Sequence, residues 1–171
     1  LDIYKDIPPI KALLIKYNNN SKNVAFGFLN NEERYKIKML LMSYIFERNY
    51  SKIDELLKLG IDLDFEINAL SPLMNSVLLN DYYITEKLLD NGASVNSCYV
   101  DKDFRDNTAL HFAILNYSNY KKTDIIELLL KKGAKYHSDD IIFINSNKNL
   151  INLFEKYDKN YTKEFKKPDN V

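Results

Sequence analysis

Cysteine is nearly missing from these 171 residues: Cys98 stands alone, so no internal disulfide can form and a cysteine-based zinc site lacks ligands. A lone thiol fits a reducing compartment, and the chain is expected to be cytoplasmic, the alternative being secretion or delivery into a host cell. Net charge is missing too, since 24 basic residues cancel 24 acidic ones, so no overall field draws the chain to nucleic acid or to a membrane surface. No apolar run reaches the ~18 residues needed to cross a bilayer, and Leu1 to Asp6 carry no basic signal-peptide region. A soluble chain is expected. The length and the 46% apolar, 28% charged composition suit one compact globular body or a short array of repeated units.

Glycine is also scarce, and three of the four glycines close the same kind of phrase. The phrases are Ile53-Asp-Glu-Leu-Leu-Lys-Leu-Gly60, Ile84-Thr-Glu-Lys-Leu-Leu-Asp-Asn-Gly92 and Ile125-Ile-Glu-Leu-Leu-Leu-Lys-Lys-Gly133. Apolar residues recur at helical spacing in each, and the glycine can take the left-handed conformation that ends a helix. Upstream lie matching helix starts, Ser71-Pro72-Leu73-Met74 and Thr108-Ala109-Leu110-His111, with Ser71 or Thr108 as cap and Pro72 at the first helical position. Ser71 precedes Gly92 by 21 residues and Met39 precedes Gly60 by 21, so the first unit keeps the register and loses the cap. Thr108 to Gly133 spans 25, and the extra residues are expected within Tyr117 to Lys122, lengthening the turn between two helices. The joint after Gly92 is also longer than that after Gly60, around Cys98 to Asp106.

Each unit thus reads as helix, turn, helix, glycine stop and polar excursion. The sequence resembles the ankyrin-repeat family, of bacterial or viral type with degenerate repeats, over about Glu32 to Tyr157. Asp106-Asn107-Thr-Ala-Leu-His-Phe-Ala113 is similar to the family's opening phrase, with Ala109 in place of its usual proline, and Gly92-Ala-Ser-Val-Asn96 matches its closing phrase. The resemblance implies an all-α ankyrin-repeat solenoid of helix-turn-helix units with short hairpin loops and helical caps. Residues 1–31 are expected as a capping helix and loop, with Asn18 in the glycine position of Ile10 to Asn18. Three repeats follow at about 32–64, 65–97 and 98–137. Residues 138–158 are expected as a C-terminal capping unit of two short helices broken at Asn145 to Asn147, and 159–171 as a polar tail.

Catalytic chemistry is hard to find. His111 could titrate near neutral pH, but the family resemblance implies a scaffold role, bonding backbone between neighbouring units. His137 has no second histidine at metal-ligand spacing. Asp101, Asp103 and Asp106 lack the glycine and terminal glutamate of a calcium loop, and no Gly-rich phosphate loop, nucleophile elbow or His-Glu-x-x-His motif occurs. No enzyme activity, cofactor or metal is expected.

The function the resemblance implies is protein binding through hairpin tips and the concave inner-helix face. Candidate contacts on the first hairpin are Phe65, Glu66 and Asn68. On the second they are Tyr99, Asp101, Lys102, Asp103, Phe104 and Arg105, where aromatic and charged residues mix as at interface anchors. Inner-helix ends add Leu79 and Asn80, then Asn116 and Tyr117. The partner is another protein and the free chain is expected to be monomeric. Two other roles stay open: an inhibitor or immunity-type protein that blocks an enzyme, and a targeting fragment of a larger effector.

Overall fold

The computed structural model describes residues 26–99, 107–158 and Tyr161. The helix expected over residues 10–18 and most of the polar tail lie outside the described residues. Where composition suggested one compact body, the chain divides into two units, Leu1–Ser94 and Val95–Val171.

In the first unit, a 3-10 turn at Phe26–Phe28 leads into four helices: α1 Asn31–Phe46, α2 Tyr50–Leu57, α3 Pro72–Leu78 and α4 Tyr82–Asp90. α1 does not lose its cap. It starts eight residues before Met39, where the Asn30 side chain accepts from the Glu33 N–H at 2.9 Å and the Glu33 carboxylate accepts from the Asn30 N–H at 2.9 Å. That reciprocal pair satisfies two of the free donors at a helix start. α3 begins as its phrase dictates: Ser71 accepts from the Met74 N–H at 3.1 Å and Pro72 opens the helix. α1 packs on α2 and α3, α3 on α4, and α2 on α4. Ile37, Leu41, Ile45, Ile53, Leu56, Ile84 and Leu88 are fully buried between them, each contributing roughly 1.5–3 kcal/mol through lost apolar exposure.

The second unit opens with a two-stranded antiparallel ribbon, β1 Cys98–Tyr99 and β2 Asn107–Thr108, pairing Cys98 with Thr108 and Tyr99 with Asn107. Four helices follow: α5 Ala109–Tyr120, α6 Asp124–Lys131, α7 Ser138–Asn145 and α8 Lys148–Tyr157. α5 packs on α6 and α7, α7 on α8, and α6 on α8, around Leu110, Leu129, Ile144 and Phe154. Thr108 caps α5 by accepting from the His111 N–H. α7 is capped at His137, whose N–H donates to Asp140.

Gly60, Gly92 and Gly133 all have positive φ, at 68°, 97° and 85°, and stop α2, α4 and α6. The extra residues before Gly133 lengthen a helix rather than a turn. α5 has 12 residues against 7 in α3, while the turns after them each span three residues. Nothing in Leu115 to Tyr120 breaks a helix, and Tyr117, four residues beyond the buried Ala113, is itself buried. Arg48, Asn80 and Lys121 occupy the turns after α1, α3 and α5 in the left-handed region, at φ 53°, 51° and 56°.

Candidate functional site

Each helix pair has two edges, a hairpin edge before the inner helix and a turn edge after it. On the first hairpin, Ile67 and Leu70 bridge across Asn68 and Ala69, both left-handed at φ 52° and 66°. That is the two-residue turn whose twist suits a hairpin. Glu66 and Asn68 are exposed. Phe65, read from the sequence as a partner contact, is 8% exposed, with the Lys38 ammonium 4.9 Å above its ring, so burial and not exposure is what the structure gives it. Asp64 accepts from the Ser94 N–H at 2.8 Å, and Asn96 accepts from the Lys135 N–H at 2.8 Å and donates to the Gly133 carbonyl at 3.1 Å. Asp64 and Asn96 each sit four residues after a helix-ending glycine, and each holds the backbone two residues after the next such glycine. Tyr99 lies in β1 opposite Asn107. Asp101, Lys102, Asp103, Phe104 and Arg105 lie outside the described residues.

The turn edge of the first unit is aromatic. Tyr50 donates to Asp81 at 3.0 Å and Tyr83 to Asp54 at 2.9 Å, their rings meeting edge-on with centroids 5.2 Å apart. These bonds to carboxylates hold both phenols above their usual pKa. Phe46 and Tyr82 are exposed beside them. Arg48 donates to the Leu79 carbonyl at 2.7 Å, and Leu79 and Asn80 are half-buried. In the second unit Asn116 is half-buried, and Tyr117 is 6% exposed with its hydroxyl accepting from Asn149 at 3.2 Å. Burial revises the expectation that Tyr117 is a freely projecting contact. Glu127 ties α6 to α8, accepting from Lys156 at 2.8 Å and Tyr157 at 2.6 Å, and these donors lower its carboxyl pKa to about 2.

Helix pairs, glycine stops and hairpins in this order are matched by a family model described as ankyrin repeats (3 copies), over residues 39–140. The chain belongs to the ankyrin-repeat family. No curated protein matches it significantly. Ankyrin repeats are in general protein–protein interaction modules and typically non-catalytic. Among the described residues, no helix is long and apolar enough to cross a membrane, and no group of three His, Cys, Asp or Glu side chains is placed to hold a metal.

The histidine of the ankyrin phrase takes a different partner from the one the resemblance implied. His111 Nδ1 lies 2.6 Å from Asp140 Oδ1, a side-chain bond between α5 and α7 rather than one to backbone. Asp140 is fully buried, and its other oxygen accepts from the His137 N–H at 2.8 Å. The two bonds satisfy a carboxylate that would be costly to bury alone. The pair therefore orients the imidazole as part of the scaffold. Sequence reasoning missed Asp140 and the Asp64 and Asn96 bridges; the equal offsets from the glycines were a usable signal for the bridges.

Proposed function

We propose that this ankyrin array is a protein-binding module that engages its partner through the hairpin tips and the accessible inner-helix positions, with no catalysis of its own. In this reading the repeats span about 32–64, 65–97 and 98–137, residues 138–158 cap the array, and the free chain is monomeric. The observation that carries it is the first hairpin: a tight left-handed turn, anchored by buried Phe65 and the Asp64 bridge, sets Glu66 and Asn68 in solvent on a backbone that need not rearrange. Preorganisation of this kind lowers the ordering cost of binding. Tyr99, Asp101, Lys102, Asp103, Phe104 and Arg105 join the surface on sequence grounds, with Asn80 and Asn116 as inner-helix contacts.

Affinity capture with the full chain from its source cell, followed by mass spectrometry, identifies the partner. Tyr99→Ala with Arg105→Ala is then expected to weaken binding by at least ~2 kcal/mol if these are anchors, and Glu66→Lys to weaken it further, with the melting temperature unchanged. Unaltered affinity in both variants would remove the hairpins from the interface.

A further inference from the structure

α5 and α7 lie side by side in register at their starts, because His111 and Asp140, the third residue of each, are bonded to one another. α5 has 12 residues and α7 has 8. The difference makes α5 overhang its neighbour by about 6 Å at the turn edge, at 1.5 Å per residue. Beneath the overhang is a cleft of about 310 Å³. It is lined by Ile114, Leu115, Tyr117 and Lys121 from α5 and its end, Phe143 from α7 and Leu150 from α8, with Ile114, Tyr117 and Leu150 themselves buried.

Three features describe what would fill it. The first is apolar demand: Phe143 is 45% exposed and its neighbour Ile142 is 74% exposed, unusual for large apolar side chains on a helix that contributes to the core. The second is size. This cleft is at the small end of ligand-binding sites, fitting one large side chain with its backbone. The third is charge. Lys121 is exposed at the rim with its ammonium 5.6 Å from the Tyr117 ring, and no ion pair joins it to a carboxylate among the described residues. Lys122 and Lys148, chain neighbours of Lys121 and Asn147, are exposed as well, against the single acid Asp124 at the start of α6.

We propose that this cleft is a second docking site, taking a peptide segment of another protein that inserts one large apolar side chain between Leu115 and Phe143 and places an acidic residue beside Lys121. It lies at the far end of α5 from β2 and the hairpin, and does not depend on the hairpin surface. The apolar side chain supplies burial, and the acid meets the cationic rim, which selects sequence and orientation more than it adds affinity.

The test is a nuclear magnetic resonance titration of the full, nitrogen-15-labelled chain with three peptides: acetyl-Asp-Glu-Phe-Asp-Glu-amide, acetyl-Lys-Lys-Phe-Lys-Lys-amide and acetyl-Asp-Glu-Ala-Asp-Glu-amide. The acidic phenylalanine peptide is expected to shift the amides of Leu115, Ser118, Lys121 and Ser146, and to bind about tenfold more tightly than either of the others. Phe143→Ser is expected to weaken it by a similar factor, and Lys121→Glu to remove its advantage over the basic peptide. Lys121 is exposed, so Lys121→Glu is expected to melt as the parent does; Phe143 also meets the His111 ring edge-on, and a melting curve is expected to show Phe143→Ser still folded at the titration temperature. Equal binding of the acidic and basic phenylalanine peptides, equal binding of the alanine peptide, or no shift at millimolar peptide would each overturn the proposal. Shifts confined to Glu66 and Asn68 would overturn it as well while supporting the hairpin surface.

Discussion

At the hairpin edge, the Asp64 and Asn96 side chains hold the backbone of Ser94 and Lys135, Phe65 is buried, and Glu66 and Asn68 are exposed. At the turn edge, Phe46, Tyr50, Tyr82 and Tyr83 in the first unit and Tyr120 in the second are exposed, and the cleft beside Phe143 opens there. The family phrase draws attention to the first edge, whereas four of the five large apolar side chains exposed among the described residues of the first unit, all but Tyr35, lie at the second. A repeat protein can therefore carry its recognisable signature on one edge and its exposed aromatic surface on the other.

Variants can break this contrast at several depths. Asp140→Ala should have the largest effect, because it removes both the bond to His111 that ties α7 to α5 and the bond from the His137 N–H that caps α7. A loss of about 2–4 kcal/mol is expected in chemical denaturation, and an unchanged midpoint would show that the pair contributes nothing. Gly133→Val comes next. No atom lies within 4 Å of where its Cβ would sit, so the penalty is the backbone strain of a β-branched residue at φ 85°, about 1–2 kcal/mol. Asn96→Ala is expected to cost about 1 kcal/mol through the lost bridge and to speed hydrogen exchange at the Lys135 amide. At the turn edge, Tyr83→Phe should cost less than Asn96→Ala, since its bond to Asp54 is exposed and screened by solvent. A larger loss there than at Asn96 would reverse the ranking of the edges. The smallest effect is visible only in acid. The Glu127 pKa is depressed to about 2, so its contribution is present above the ordinary carboxyl range and is lost as pH falls through about 2. A carboxyl carbon titration should place its midpoint there, and a midpoint near 4.5 would mean that Lys156 and Tyr157 do not hold it.

Helix stops and starts were legible because they are local. Gly60, Gly92 and Gly133 need positive φ, and Ser71 and Thr108 need only a backbone N–H three residues on. α1 was misread for a related reason: Met39 was aligned with the start phrases of the other units, while the Asn30 to Glu33 capping pattern stood upstream in plain view. The length of α5 is not legible because the 25-residue spacing from Thr108 to Gly133 says how many residues are added and not whether helix or turn takes them. Burial of Phe65 depends on Lys38 and the neighbouring core, and the His111 bond on an aspartate 29 residues away. No spacing rule reaches that far. The cleft was least legible of all, since it arises from a difference in length between two helices rather than from any motif.

Lys121 and Arg48 hold cations at positions where the backbone is left-handed. A residue with a Cβ is strained there by about 1 kcal/mol relative to glycine. Glycine would relieve that strain but would also free the unfolded chain, and at Arg48 it would remove the bond to the Leu79 carbonyl, so the relief is offset. At Lys121 it would take away the ammonium at the rim of the cleft. At these two turns, durability and surface charge are competing demands on one side chain.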